Sequence, residues 1–394
     1  MITSILVLAF SFFIVAFSIK PIITIAIQKR LFDAPTEARK IHKRIIPNLG
    51  GLAIFTGFLL STALFVKDSE ILNANYILAA GVVIFITGLK DDIIGVDPMK
   101  KFIAQFAAAF IITILGDLRI MDLGGLLGVH QLAYPFSIGL SVFLFVGVIN
   151  AYNLVDGIDG LAGFLAVMIS LVYAGLFYMG GETQWTYLCL ALAGSVGGFL
   201  VHNVSPARIF MGDCGSLMIG FMVSVLTIHF LNMSAGNPVL FDGFAVSSAP
   251  ALALAIVALP VFDTLRVFTI RILNQQSPFK ADRNHMHHRM LDLGLTHMQA
   301  TGVLVLVSLL FVGTALALQP IGNNQLVATL LLIVLTLNTG LSIYLYSKRL
   351  SQQHPAATQP AARGRIKAAV PNPSSAAETK KFAESVLREV AKHS

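Results

Sequence analysis

Apolar runs of membrane-spanning length, separated by short polar connections, recur from the N-terminus to about residue 346. About 20 apolar residues at 1.5 Å rise cross the ~30 Å hydrocarbon layer of a bilayer. The pattern predicts eleven such helices, at 4–27, 49–66, 71–89, 102–115, 136–155, 161–179, 185–202, 216–231, 249–273, 302–318 and 325–346. The fourth and eighth are short for a span. The first has no positive stretch before it and no small-residue cleavage site after it, which predicts a retained helix rather than a removed signal peptide. The expected fold class is all-α, a polytopic integral membrane protein of about eleven transmembrane helices occupying residues 1–348. A polar tail, 349–394, follows. Its 351–373 stretch reads as a linker, after which Ser375 and Glu378 stand at capping-box spacing and Phe382, Val386 and Val390 recur every fourth residue. A short amphipathic helix and a solvated, frayed one are both open readings of that end.

Composition agrees with lipid as the main solvent. Of 394 residues, 56% are hydrophobic and 12% charged, whereas soluble domains carry about 25% charged residues; mean hydropathy is +0.79. An ordinary cytosolic enzyme, a disordered chain and a secreted disulfide scaffold are excluded. The two cysteines, Cys189 and Cys214, lack C-x-x-C spacing and receive no role. The net charge of +7 gains meaning from its placement: connections after odd-numbered runs hold Lys29, Arg30, Lys43, Lys90, Lys100, Lys101, Arg208, Lys280 and Arg289, while those after even-numbered runs hold only Lys67 and Arg119. By the positive-inside rule, the odd-numbered connections and the C-terminus are cytoplasmic and the N-terminus is outside.

The same cytoplasmic connections hold the polar chemistry. In G-L-K-D-D-I-I-G-V-D-P-M-K-K, Asp91 and Asp92 are adjacent and Lys101 opens the next helix. Two neighbouring carboxylates repel, which suits one of them to proton transfer, and the lysines supply phosphate-binding charge; a solvated turn explains the acid pair equally well. In I-N-A-Y-N-L-V-D-G-I-D-G-L, Asn150, Asn153 and Asp156 are three apart and share a helix face, with Asp159 between Gly157 and Gly160. That set fits a hard divalent cation plus a nucleotide; a capped helix end explains only part of it. In S-P-A-R-I-F-M-G-D-C-G-S, Phe210 and Asp213 precede a predicted helix N-terminus, an anion-friendly place, although Asp213 could serve only as its cap. The S-P-F-K-A-D-R-N-H-M-H-H-R segment sets His285, His287 and His288 between Arg283 and Arg289. Five cationic or titratable groups in seven positions, with no H-E-x-x-H spacing and no cysteine nearby, favour a diphosphate- or sugar-binding loop over a zinc site. Asp263 and Arg266, three apart beside Pro260, read as a helical ion pair without a catalytic part.

Together, N-x-x-N-x-x-D-G-x-D-G-L, F-M-G-D-C-G-S, the Asp pair and S-P-F-x-A-D-R-x-H-x-H-H-R, in this order between about Arg39 and His297, resemble the polyprenyl-phosphate N-acetylhexosamine-1-phosphate transferases, specifically the UDP-N-acetylglucosamine branch. The resemblance implies ten or eleven spans, a cytoplasmic active-site cleft with a lipid groove beside it, and Mg²⁺ (or Mn²⁺) held by Asn153 and Asp213. It further implies Lys101 on the diphosphate, Phe210 stacked on uracil and Asp159 at the uracil's polar edge, with Asn150 and Asp156 also in the substrate site. Arg283, His285, His287 and His288 would face the sugar phosphate. Asp91, then Asp92, would deprotonate or position the lipid phosphate.

The expected reaction moves N-acetylglucosamine 1-phosphate from a UDP-sugar to undecaprenyl phosphate, releasing UMP, at the bacterial inner membrane, as the first membrane step of cell-envelope polysaccharide synthesis. UDP-GalNAc, UDP-QuiNAc, UDP-FucNAc and UDP-MurNAc-pentapeptide are alternative donors. The partners implied are the UDP-sugar, the polyprenyl phosphate and the bilayer, with a homodimer left open and no nucleic acid. The rival class, an ion-coupled transporter, would carry acids and broken helices near the bilayer midplane. Here the acids cluster at span ends on one face.

Overall fold

In the computed structural model the described residues are 1–29, 46–67, 71, 73–235, 239–241, 244–277 and 284–353. Among them are thirteen α-helices: α1 (Ile2–Gln28), α2 (Gly50–Phe65), α3 (Ala74–Ile94), α4 (Pro98–Phe110), α5 (Tyr134–Val155), α6 (Leu161–Met179), α7 (Thr183–Asn203), α8 (Gly212–Met233), α9 (Ala249–Ile256), α10 (Ala258–Leu273), α11 (Met286–Asp292), α12 (His297–Ala317) and α13 (Asn323–Gln353). A π-helical turn, Ile111–Leu115, extends α4. Two small antiparallel hairpins, β1 (Asp122–Leu126) with β2 (Val129–Gln131) and β3 (Val239–Phe241) with β4 (Phe244–Val246), complete the fold. The chain divides into compact units 1–342 and 343–394. The tail features at Ser375 to Val390 lie outside the described residues, as does Arg283.

Each of the eleven apolar runs coincides with helix. Among the described residues, eight helices are long and apolar enough to cross a membrane, nine if α9 and α10 count as one span; α2, at 16 residues, is shorter. Of the boundaries that differ from expectation, two have a physical reason in a named residue. The ninth run is broken, α9 and α10 meeting at 73°, with Pro260 just past the break unable to donate to the preceding turn. The eighth starts at Gly212, four residues earlier than the apolar pattern indicates, because a carboxylate from another helix caps it.

Helix α8 is the buried axis of the bundle. Phe221, Met222, Val225 and Phe230 are fully enclosed, packed mainly against α3 and α5, with α2 and α6 also in contact. A helix apolar on every side belongs inside a bundle. The peripheral helices show the complement: Phe13 and Phe17 on α1 and Leu331, Leu332 and Leu335 on α13 are exposed, as side chains meeting acyl tails should be. Where α2 and α3 approach the start of α8, glycines allow backbone contact. A Cβ on Gly51 would lie 2.1 Å from the Gly215 nitrogen, and one on Gly88 2.5 Å from the Cys214 Cα. The three helix ends therefore converge, and the cavity opens there.

Candidate active site

The cavity encloses about 480 Å³ and is lined by Asn48, Asp92, Asn153, Asp156, Gly157, Ile158, Asp159, Asn203, Phe210, Gly212, Asp213 and His297. Segments from five parts of the chain meet around it. Its floor is the 210–213 stretch, held in place by backbone pairing: Phe210 N–H donates to Pro47 O at 2.9 Å, Gly50 N–H to Phe210 O at 2.9 Å and Gly51 N–H to Met211 O at 2.8 Å. Asp92, at the end of α3, then takes the amides that open α8. Its Oδ1 accepts from Asp213 N–H at 2.7 Å and its Oδ2 from Cys214 N–H at 2.9 Å. Gly212 has φ +72°, and a Cβ there would stand 2.7 Å from both Asp92 oxygens. Asp213 is thus a first-turn residue of α8 and not its cap.

Lys101 joins two acids. Its Nζ lies 2.6 Å from Asp91 Oδ2 and 2.6 Å from Asp213 Oδ2, while Asp91 Oδ1 accepts the Val96 amide at 2.6 Å. One ammonium between two carboxylates fixes Asp213 toward the cavity and offsets part of the acids' repulsion.

The α5–α6 connection forms another wall. Asn153 Oδ1 accepts from Ser216 Oγ at 2.7 Å. Asn203 ties this connection to the one between α7 and α8, its Oδ1 accepting from Gly160 N–H at 2.9 Å and its Nδ2 donating to Ile209 O at 2.9 Å. Asp159 is buried, with Oδ1 3.5 Å from His297 Nδ1 and Oδ2 accepting from Ala207 N–H at 3.3 Å. Asn150 goes elsewhere: its Nδ2 donates to Gln105 Oε1 at 2.6 Å, away from the lining of the cavity.

Four carboxylates, Asp92, Asp156, Asp159 and Asp213, share this space. Burial first, then the charges of Asp213, Asp92 and Asp159, push the Asp156 carboxyl up to about 7. Burial also raises Asp92, to about 6, despite the bonds from the Cys214 and Asp213 amides that favour its anion. The histidine segment packs alongside. A Cβ on Gly157 would come within 2.2 Å of His287 Nε2, so that imidazole lies on the glycine itself. His285 and His287 stack with centroids 5.8 Å apart, and His288 lies tilted by 51° against His287 at 4.3 Å. Burial, followed by the charge of His288, pushes His287 down to about 3, leaving it neutral.

The sequence profile of glycosyl transferase family 4 matches residues 74–231, from α3 to α8. The chain is 33% identical to the probable undecaprenyl-phosphate N-acetylglucosaminyl 1-phosphate transferase of Bacillus subtilis (strain 168) over 309 residues, 76% of this chain and 81% of the relative. It is 34% identical to the decaprenyl-phosphate N-acetylglucosaminephosphotransferase of Mycolicibacterium smegmatis over 70% of this chain and 71% of that protein. Against the undecaprenyl-phosphate alpha-N-acetylglucosaminyl 1-phosphate transferase of Salmonella typhimurium it is 29% identical, covering 75% and 78%. The chain belongs to the polyprenyl-phosphate N-acetylhexosamine-1-phosphate transferase family.

Of the transferase candidates chosen from sequence, the structure gathers Asp92, Asn153, Asp156, Asp159, Phe210 and Asp213 on the cavity. Asp91 and Lys101 stand behind Asp213, and His287 stands behind Gly157. Three lining residues, Asn48, Asn203 and His297, carry no motif of their own; a polar residue at the boundary of an apolar run is the only mark that Asn203 and His297 bear. The donor set suits a hard cation: Asp and Asn oxygens surround a space whose unbalanced negative charge already raises Asp156.

Proposed function

We propose that this protein transfers N-acetylglucosamine 1-phosphate from UDP-N-acetylglucosamine to undecaprenyl phosphate and releases UMP, working at the cytoplasmic face of the bacterial inner membrane. One observation carries the reading: an acid-lined polar cavity, backed by Lys101 and floored by Phe210, is linked through the histidine segment, His287 on Gly157 and Met286 in a furrow, to apolar furrows at the broken span. Those furrows, of about 130 and 50 Å³, share Ala258, Phe262, Phe311 and Val334, and the smaller reaches Met286, next to His285. A polar head and a polyprenyl tail would each find a matching surface.

An oxygen of the lipid phosphate attacks the sugar-side phosphorus of the UDP-sugar, a new P–O–P linkage forms, and the bond to UMP breaks, UMP leaving with the electron pair. A phosphate monoester has its second pKa near 6, so the nucleophile is already largely dianionic at neutral pH and little base catalysis is required. The residues act chiefly by position and charge. Lys101 offsets charge on the diphosphate, Phe210 offers its ring face to uracil, Asp159 offers its carboxylate at the ring's edge, and the histidine segment meets the sugar phosphate. With both Asp91 oxygens engaged by Val96 and Lys101, Asp91 aims the lysine; direct transfer needs no covalent role for it. Mg²⁺ or Mn²⁺, held by Asn153 and Asp213, would neutralise diphosphate charge.

The test is UMP release by the purified protein from UDP-N-acetylglucosamine, with and without undecaprenyl phosphate and Mg²⁺. Release that needs both additions, with a lipid-linked diphosphosugar as co-product, supports the reading. Vesicle uptake of a solute without turnover would replace it with transport. A panel of UDP-amino sugars in the same assay identifies the donor.

A further inference from the structure

We propose that Asp263, outside every motif of the site, is a positioning residue: it fixes which imidazole nitrogen of His285 is presented to the sugar phosphate. The inference rests on the transferase reading and deepens it.

Asp263 lies on α10 just beyond the 73° break, and its side chain is 4% exposed. A carboxylate so placed in a membrane helix is costly unless every lone pair is used. Arg266 supplies charge, its Nη2 donating to Oδ1 at 3.0 Å. The other two partners come from the histidine segment: Met286 N–H donates to Oδ1 at 3.0 Å, and His285 Nδ1 lies 3.0 Å from Oδ2. Arg266 Nη2 also donates to Asn284 O, one residue upstream. An ion pair built only to satisfy its own charges would have no need of this segment. This one grips three consecutive residues of it.

A carboxylate can only accept, so the His285 proton on this side sits on Nδ1. Nε2 is then the nitrogen left for a ligand, the same division of labour that an orienting aspartate imposes on a general-base histidine. The far end of the short helix is anchored separately, Arg289 donating to Asn338 Oδ1 at 2.6 Å and to Ser342 Oγ at 2.7 Å on α13. An uncharged acceptor at 263 would still take Met286 N–H and Arg266, so α11 keeps its place without Asp263's charge. What Asp263 adds is the chemistry and aim of one ring, which stacks in parallel on His287 and through it faces Gly157 at the cavity wall.

The experiment is a double-mutant cycle on the full chain in detergent, read by UMP release. In Asp263→Asn the amide oxygen stays with its two donors, Arg266 and Met286, and the NH₂ turns to His285, driving the ring proton onto Nε2. We expect kcat to fall about 10- to 100-fold, the usual loss when a group orienting an active imidazole is changed. KM for UDP-N-acetylglucosamine should stay within about threefold and the melting midpoint should hold, and on a His285→Gln background the same substitution should cost less than about threefold, because pairs acting through one contact are not additive. An equal loss with and without His285, a loss confined to KM, or wild-type turnover would overturn the proposal. If Asp263→Asn does not fold, Asp263→Glu, which keeps the carboxylate but moves it, takes its place in the cycle, and the same outcomes support or overturn the proposal. Wild-type protein that releases no UMP with Mg²⁺ and undecaprenyl phosphate brings down the transferase reading itself, and this inference with it. Asp263 variants affect only the latter.

Discussion

Asp92 holds Asp213 by its backbone: a carboxylate from the end of α3 accepts the amide of the first acidic residue of α8 at 2.7 Å. The unpaired N–H groups of a helix start are satisfied by a side chain from a different helix, and the anion also sits at the positive end of the α8 dipole. One residue is therefore both a wall of the cavity and the mount of its neighbour.

Losing that mount should cost stability and activity together. Asp92→Ala leaves two amides without their acceptor, an expected loss of about 1–2 kcal/mol, while Asp92→Asn keeps one acceptor and loses less. The single tryptophan, Trp185, reports folding from a distance: it is buried against His229 with ring centroids 3.6 Å apart, and it lies ~27 Å along α7 from Asn203 by helix rise. Thermal unfolding followed at Trp185 measures the first loss and UMP release the second. An Asp92→Ala protein as stable as wild type would show that the cap is dispensable.

Lys101 should have opposite effects on metal and on turnover. Its ammonium occupies Asp213 Oδ2 at 2.6 Å, so Lys101→Met removes a competing cation from an acid-lined space. Binding of Mn²⁺ in the absence of nucleotide, followed by electron paramagnetic resonance, is expected to tighten several-fold. Turnover is expected to fall by about 10²–10³, as when one fixed donor to a developing anion is deleted. Weaker Mn²⁺ binding in the variant would mean that the lysine organises the acids more than it competes at them.

The two asparagines of N-x-x-N show where the linear pattern stops informing. Three-residue spacing puts both on one helical face, yet Asn153 reaches the cavity and Ser216 while Asn150 is drawn to Gln105 on α4. Spacing reveals a shared face and not the partner waiting opposite. Helices were legible for the reverse reason: apolarity answers to lipid, a partner common to every span. The α8 cap from Asp92 and the fold-back of His285 onto Asp263 each depend on a residue distant in sequence, and no local period encodes them. The hairpin β1–β2, written D-L-G-G-L-L-G-V-H-Q, has too little alternation to stand out.

The split between the asparagines can be tested. Asn150→Ala leaves the amide of the buried Gln105 without its partner, costing about 1–3 kcal/mol of stability, with the Mg²⁺ dependence of UMP release unchanged. Asn153→Ala should do the reverse, raising the Mg²⁺ needed for half-maximal rate about tenfold at nearly unchanged melting temperature. A shift in Mg²⁺ requirement for Asn150→Ala would place that residue in the site after all.

The acid cluster predicts a pH dependence with a definite sign. Asp156 titrates near 7 in the folded protein and near 3.9 when unfolded, so between these values the native state holds a proton that the unfolded chain has lost. Stability rises with pH where the unfolded state binds more protons; here it binds fewer, so this group's contribution is complete below about 4 and disappears as pH climbs to about 7. Asp92, near 6, acts in the same direction. His287, held neutral by burial, acts in the opposite direction over the same range, so the carboxyls are read from the response of the melting midpoint to metal and not from the metal-free midpoint itself. A divalent cation binds the ionised acids and stabilises the state it binds, so added Mg²⁺ should raise the melting midpoint strongly at pH 7.5 and little at pH 5. Equal Mg²⁺ shifts at the two pH values, measured by differential scanning fluorimetry in detergent, would show that the raised carboxyls do not face the ion.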